Sequence, residues 1–424
     1  ARPTPTTARP TPTTARPTPT TKRPITTTTR QTSTKLTAAT STTTSTTTLT
    51  TALATGSTTP GPLNEFICTV GPDMVIEEMV PPDGLCNYIY YTSVVVSKGN
   101  IYAIEGTRSW DVFQNALSTF KKTSGGIGFD VRYVTVKDLD ATLDSKWLKN
   151  LTSRNVKHYG VLNVLETSAK VKGVFGKAKD LLKQMKTLQG NDGNRRTLIA
   201  LGIYNYHEKD AWSNLQEMFT EAVEQSVADT VIAYSSVGWI QSESECLSVP
   251  PSVWDKSVFL EDSAKNADRV PDIQTVVGMM KKDRKIKEGI RIGFSFELAT
   301  LAYILLKLDA ANPYKNINAP CSRMFLTDLS QLECRAGNAL DWIHITHVGS
   351  STAILMADDA FSLEKKCEEL SKSSTSLRQD VSVLLLNAHL GDFSKNGKCS
   401  KEKHEDRKDP FYRIRAVKTK LKIP

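Results

Sequence analysis

Acidic side chains at the ends of apolar runs are the residues of this 424-residue chain whose type and placement suit proton transfer: Glu208, Glu243, Glu245, Glu297, Asp358 and Asp359. Glu297 closes the run Ile290-Arg291-Ile292-Gly293-Phe294-Ser295-Phe296. The two-residue period of a strand offers such a residue one face of a sheet, with a salt bridge to Arg291 as the alternative use. Four of the six histidines, His207, His344, His347 and His389, fall near predicted strand ends. Alternation turns His347 and His389 inward, but no carboxylate stands at ligand spacing from them and no cysteine lies in a C-x-x-C or C-x-x-H pattern, so no metal is expected. Tyr204, Tyr206, Tyr234, Trp239 and Trp254 suit stacking on the flat face of a sugar ring, or equally the packing of a core. No Gly-x-Ser-x-Gly elbow and no Cys/His pairing points to a nucleophilic hydrolase.

The elements that must position these groups alternate. Strands are expected at 87–96, 126–136, 157–166, 196–206, 229–239, 290–297, 340–348 and 381–388, each rich in Val, Ile, Tyr or Phe. Between them lie helical patterns with apolar residues at i, i+3, i+4 and i+7, such as Trp212, Leu215, Phe219, Ala222 and Val223. Eight βα units predict a (β/α)₈ TIM-type barrel of the α/β class, with loop insertions at 240–268 and 298–339. An open doubly wound sheet is the alternative, but no Gly-x-Gly-x-x-Gly follows the first strand, and no cofactor is expected.

Composition divides the chain. Residues 1–60 hold 28 threonines, seven basic residues and no acid, including three copies of Ala-Arg-Pro-Thr-Pro-Thr-Thr. Proline twice per repeat and the lack of an apolar seam predict an extended, solvated arm with mucin-like, O-glycosylated composition. The arm and its linker occupy 1–62, and the barrel 63–424, with folding expected to begin near Phe66. Removing the arm leaves 47 basic and 45 acidic residues, too balanced for nucleic-acid binding by the main body. The longest apolar run, 298–306, is about half the roughly 18 residues that cross a bilayer. The first residue is Ala1, compatible with removal of a signal peptide and equally with a piece of a longer chain.

Seven cysteines, Cys68, Cys86, Cys246, Cys321, Cys334, Cys367 and Cys399, look like an extracellular disulfide framework with one odd member. The pairings expected are Cys321 to Cys334 and Cys367 to Cys399, with Cys68, Cys86 and Cys246 open. Asn150-Leu151-Thr152 is an N-glycosylation sequon, or simply a polar helix end.

Three stretches resemble secreted chitinase-like proteins of the family-18 glycoside hydrolase barrel, in particular divergent versions from ticks. They are Pro81-Pro82-Asp83-Gly84-Leu85-Cys86-Asn87-Tyr88-Ile89-Tyr90-Tyr91, similar to a first strand; Met356-Ala357-Asp358-Asp359-Ala360 running into Ser362 to Cys367, similar to an Asp-rich turn and seventh helix; and Leu384 to Asp392-Phe393-Ser394 with Gly397 and Cys399, similar to the last strand. The resemblance implies a substrate-assisted glycosidase in which a glutamic acid ending the fourth strand protonates the leaving oxygen. Aspartates in Asp-x-x-Asp-x-Asp-x-Glu orient the substrate's N-acetyl group.

No copy of that motif is present. If residues 229–236 are the family's strand, Asp229 survives while Ile232, Tyr234 and Ser236 replace the two aspartates and the acid. If it is 201–208, Glu208 supplies the acid and the aspartates are gone. The first is preferred, since 196–202 looks like the preceding strand. Within 340–348 the family's Met-Thr-Tyr-Asp reads Ile345-Thr346-His347-Val348, and the tryptophan flooring the sugar pocket reads Leu386. The expectation is an extracellular, secreted, catalytically degenerate protein whose partner is a glycan or a protein. Tyr204, Tyr206, Tyr234, Trp239 and His347 are its candidate glycan contacts. The alternatives are an active glycosidase with a relocated acid, Glu208 or Glu297, and a structural mucin-like matrix component.

Overall fold

The computed structural model describes residues 65–421, except 105–106, 142–145, 190–193, 238–245, 256–268, 282–285, 288, 329–343, 348–351, 374–380 and 394–408. Its strands are β1 (Phe66–Val70), β2 (Tyr88–Ser97), β3 (Asn100–Ala103), β4 (Ser124–Phe129), β5 (Val156–Glu166), β6 (Thr197–Ile203), β7 (Thr230–Ala233), β8 (Arg291–Glu297), β9 (Thr300–Leu305), β10 (Cys321–Thr327), β11 (His344–His347), β12 (Ala353–Ala357) and β13 (Val381–Leu386). Its α-helices are α1 (Thr107–Thr119), α2 (Val136–Asp140), α3 (Lys146–Ser153), α4 (Val171–Gln189), α5 (Ala211–Glu224), α6 (Ile273–Met280), α7 (Ala360–Ser373) and α8 (Tyr412–Lys420).

Eight parallel strands close on themselves. Hydrogen-bonded neighbours run β1-β13-β8-β7-β6-β5-β4-β2, and β1 pairs β2 to complete the ring. This is the expected (β/α)₈ barrel. Seven of the eight expected strands are staves of it, but 340–348 is not: its β11 lies in a separate antiparallel sheet, β10-β9-β12-β11, inserted between β8 and β13. The missing stave is β1, five residues all buried, which the sequence analysis did not assign to a strand although it expected folding to begin near Phe66. The segment expected to be the first strand is therefore the second. The expected loop 298–339 contains two strands, β9 and β10.

Side-chain alternation sorts the strands into two cores. Outward residues such as Phe294 and Phe296 join helix residues Phe113, Phe175, Leu215 and Phe219 in the layer between strands and helices. Inward residues Ile67, Tyr90, Leu162, Leu198, Ile232, Tyr234, Leu384 and Leu386 fill the barrel itself. Gly126 is what admits the Tyr90 ring, because a Cβ there would lie 2.5 Å from its Cε1. The insertion shares a small core with the segment between β7 and β8, around Val249, Leu301, Tyr303, Met324 and Ile354.

Among the described residues two disulfides are formed, Cys68–Cys86 and Cys246–Cys321, and Cys367 is a buried free thiol. The expected bridges Cys321 to Cys334 and Cys367 to Cys399 are both corrected. Register brings β10 across β9, and the Cys321 N–H bonds the Cys246 carbonyl. The two sulfurs therefore meet across 75 residues of chain, a proximity that sequence spacing does not carry. Cys334 and Cys399 lie outside the described residues.

Candidate functional site at the barrel mouth

Counting staves from β1 makes β5 the fourth strand, and it ends in Glu166. Both windows considered from sequence are displaced by this count, because 201–208 starts within the fifth stave, β6, and 229–236 contains the sixth, β7. Spacing back from Glu166, the aspartate positions of the family motif hold Val164, Leu162 and Tyr159. Sequence reasoning missed Glu166 because it counted β5 third.

A bulge then decides which way these residues point. Val161 faces Ile199 and Val164 faces Leu201, so β5 spends one residue more than β6 over the same distance. Leu162 and Leu165 both pack with the barrel interior, while Val161 and Val164 belong to the outer core. Glu166, next after Leu165, consequently takes the outer phase. It is half-buried, and its Oε1 accepts the Thr167 N–H at 3.0 Å.

The inward acid at the mouth comes from another stave. Gly293, Ser295 and Glu297 share the inner face of β8, since a Cβ on Gly293 would lie 2.5 Å from the inward Ile232 Cδ1. Glu297 is fully buried. Asn387 Nδ2 donates to both carboxylate oxygens at 3.1 Å, and the Ala299 N–H donates to Oε1 at 2.7 Å. Burial pushes the carboxyl up to about 8 against these donors, so the group holds its proton at neutral pH. Arg291, the partner considered for it, sits at the opposite end of β8 and pairs with Glu65. Beside Glu297, Tyr234 donates its hydroxyl to the Leu162 carbonyl, and its phenol is raised by burial and by the Glu297 carboxyl.

A buried ionic network lies just beyond. Asp358 pairs with Lys366, and both are fully buried. Lys366 also donates to the Ser252 carbonyl at 2.6 Å, and the Ser252 Oγ accepts the Glu297 N–H at 3.1 Å. Arg413 binds the Asp392 carboxylate at 3.0 Å and the carbonyls of Asp358 and Leu298 at 2.8 Å each. These contacts fasten α7, α8 and the end of the insertion to β8.

The remaining candidates scatter. Glu208 is half-buried and its Oε2 accepts the Ser168 N–H at 2.6 Å, which orders the loop after β5. Tyr206 is buried against Trp212 in the outer layer, with ring centroids 4.5 Å apart, and Tyr234 is buried inside the barrel. Neither presents a face to a sugar. Tyr204 is exposed. His347 belongs to β11 of the insertion, and so do Ile345 and Thr346, which removes the segment read as the family's Met-Thr-Tyr-Asp from the barrel staves. His207 is exposed, and His389 is buried with its ring pushed down to about 3 by desolvation. Trp239, Glu243 and Glu245 lie outside the described residues. Asn150 is exposed on α3. Among the described residues, no three His, Cys, Asp or Glu side chains gather to hold a metal ion, and no helix is long and apolar enough to cross a membrane.

On the rim, the turn after β4 carries groups the sequence reading did not single out. Arg132 forms a two-pronged pair with Asp130, Nε to Oδ1 at 2.9 Å and Nη2 to Oδ2 at 2.6 Å. The Arg132 guanidinium carbon lies 5.3 Å from the centre of the exposed Tyr133 ring. The Tyr204 N–H donates to the Glu166 carbonyl at 3.1 Å, which sets Tyr204 beside the end of β5.

No family model and no curated protein matches the chain. Solved structures do. Human YKL-39, a pseudo-chitinase with retained chitooligosaccharide binding, superposes with a TM-score of 0.55 at 11% identity over 85% of this chain and 100% of its own. The fold is the chitinase-like barrel. A Group II chitinase catalytic domain from Ostrinia furnacalis gives 0.55 at 11% identity, covering 85% of this chain and 96% of that one. An immunomodulatory active chitinase from Trichuris suis gives 0.55 at 11% over 84% and 100%. Active and inactive members of the fold thus stand equally near, and the chemistry must be argued from the side chains.

Proposed function

We propose that this is a secreted, catalytically degenerate chitinase-like protein that recognises an extracellular glycan at the C-terminal rim of its barrel. The observation that carries the proposal is on β5. Tyr159, Leu162 and Val164 stand at the aspartate positions, and the bulge turns Glu166 away from the interior. Tyrosine, leucine and valine offer no carboxylate to orient an N-acetyl nucleophile, and an acid turned off the axis cannot reach a glycosidic oxygen there. Secretion is supported by two disulfides and by the Thr/Pro-rich arm, whose composition suits O-glycosylation. The tick-type likeness rests on the sequence stretches around Cys86, Asp358 and Asp392.

The test is hydrolysis of fluorogenic chito-oligosaccharides by the full chain between pH 3 and 9. No turnover is expected. Turnover that disappears in Glu166→Gln, Glu297→Gln or Glu208→Gln would overturn the proposal. A second reading, an active enzyme with Glu297 as relocated acid, draws on the elevated Glu297 carboxyl. Against it stands the full burial of that group beneath Ala299 and Asn387.

A further inference from the structure

The barrel axis and the barrel rim differ in what they offer a ligand. At the axis, Tyr90, Leu162, Tyr234 and Leu386 pack on one another, with Leu386 only 7% exposed. Where a sugar's acetamido group would need polar partners, the fourth stave turns Leu162 and Leu165 inward. The rim sector over β4, β5 and β6 is the opposite. Tyr133 is 61% exposed and Tyr204 37%, so both rings reach solvent.

That frame is stiff. The Asp130 carboxylate accepts the Arg132 N–H at 2.9 Å as well as the guanidinium, and the Asp130 carbonyl accepts the Val134 N–H at 2.9 Å. The Val131 N–H donates to Asn163 Oδ1 at 3.2 Å, which ties the turn to the β5 bulge. The Tyr204 N–H donates to the Glu166 carbonyl at 3.1 Å. A backbone held this way fixes where the two rings are anchored, which limits the ordering that a ligand must impose.

We infer that Tyr133 and Tyr204, braced by Asp130, Arg132 and Glu166, form an off-axis saccharide ledge that stacks a neutral pyranose ring and does not select for a 2-acetamido group. The inference rests on the glycan reading given above. A pyranose presents a C–H face to an aromatic ring and equatorial hydroxyls to a carboxylate or guanidinium, and the ledge supplies both. Arg132 is neutralised by Asp130, so the Glu166 carboxylate leaves the sector negative. That charge disfavours sulfated or uronic-acid glycans.

Isothermal titration of the full chain with chitotetraose, cellotetraose and a hyaluronan tetrasaccharide tests it. The two neutral sugars are expected to bind within about threefold of one another, and hyaluronan at least tenfold more weakly. Tyr133→Ala and Tyr204→Ala should each weaken binding about tenfold with unchanged thermal melting. Tyr133→Phe should retain it, as should Tyr102→Ala, an exposed ring on β3 outside the ledge. Two outcomes overturn the ledge and leave the glycan reading standing: binding untouched by both alanine variants, or chitotetraose preferred more than tenfold over cellotetraose. Binding of no saccharide by the wild-type chain would sink both.

Discussion

The amide nitrogen of Asn387, at the end of the last barrel strand, holds both carboxylate oxygens of Glu297, at the end of its neighbour, at 3.1 Å each. The pair spans the β8–β13 seam beside the point where the insertion leaves the barrel. It places a proton-holding carboxyl at the mouth but seals it from solvent. Stability, and not catalysis, is where this group should be felt.

Burial holds the Glu297 carboxyl at about 8 in the folded protein against 4.5 for the free side chain. Between those values the folded state binds the proton and the unfolded state does not. Stability therefore falls as pH rises through that window, and this group's penalty is absent below the lower value. At about 1.4 kcal/mol per pH unit the full effect amounts to several kcal/mol. Glu297→Gln should remove this slope, so that the variant gains on wild type as pH climbs from 5 to 8.5. Urea denaturation at stepped pH values measures it, and a constant difference between the two proteins would refute the account.

Asp358 and Lys366 face each other without solvent. Removing one partner strands the other charge, so Lys366→Met should destabilise by about 3–5 kcal/mol. Adding Asp358→Asn should recover part of that loss. A double-mutant cycle by chemical denaturation reads the coupling, and strict additivity would mean that the pair does not act as a unit.

The cysteine pattern is checked by peptide mapping under non-reducing conditions, which should yield Cys68–Cys86 and Cys246–Cys321. Burial pushes the Cys367 thiol up, and alkylation of it should require denaturant. Replacing Cys246 and Cys321 by serine should cost more than replacing Cys68 and Cys86, about 4 against about 3 kcal/mol on loop-entropy grounds. Finding Cys367 in a disulfide would contradict the structure.

Gly293, opposite Ser382 across the β8–β13 pairing, has no room for a side chain. A Cβ there would lie 2.2 Å from the Ser382 carbonyl oxygen and 2.5 Å from Ile232 Cδ1. Backbone cannot step aside as a flexible side chain can, so Gly293→Ala should lower the melting temperature sharply or abolish soluble expression. An unperturbed melt would show that the strands are less tightly packed than described.

Much of the barrel was legible, for a physical reason that can be read residue by residue. The apolar runs of β5, β6 and β8 are long enough to announce buried strands, and the stripes on α4 and α5 mark helices that cover them. β1 escaped because five residues between a linker and a proline-rich turn show too little period to separate from a loop. β11 was misplaced for the converse reason: four alternating residues look the same in a barrel and in an antiparallel insertion. One missed strand and one misassigned strand preserved the count of eight while shifting the staves from β2 to β8 by one, which hid Glu166 at the end of β5.

Composition and period alone predicted a βα barrel, a threonine-rich arm and an oxidised framework; that the Asp-x-x-Asp-x-Asp-x-Glu motif is missing is read against the resemblance to chitinase-like proteins. These are properties of neighbouring residues, and neighbouring residues are what a sequence records. Tertiary structure decided the order of the staves, the partners of Cys246 and Cys321, the burial of Glu297 and the outward turn of Glu166. Each of those depends on segments far apart in the chain meeting in one register, and a single extra residue in a bulge is enough to reverse which side chains face the interior.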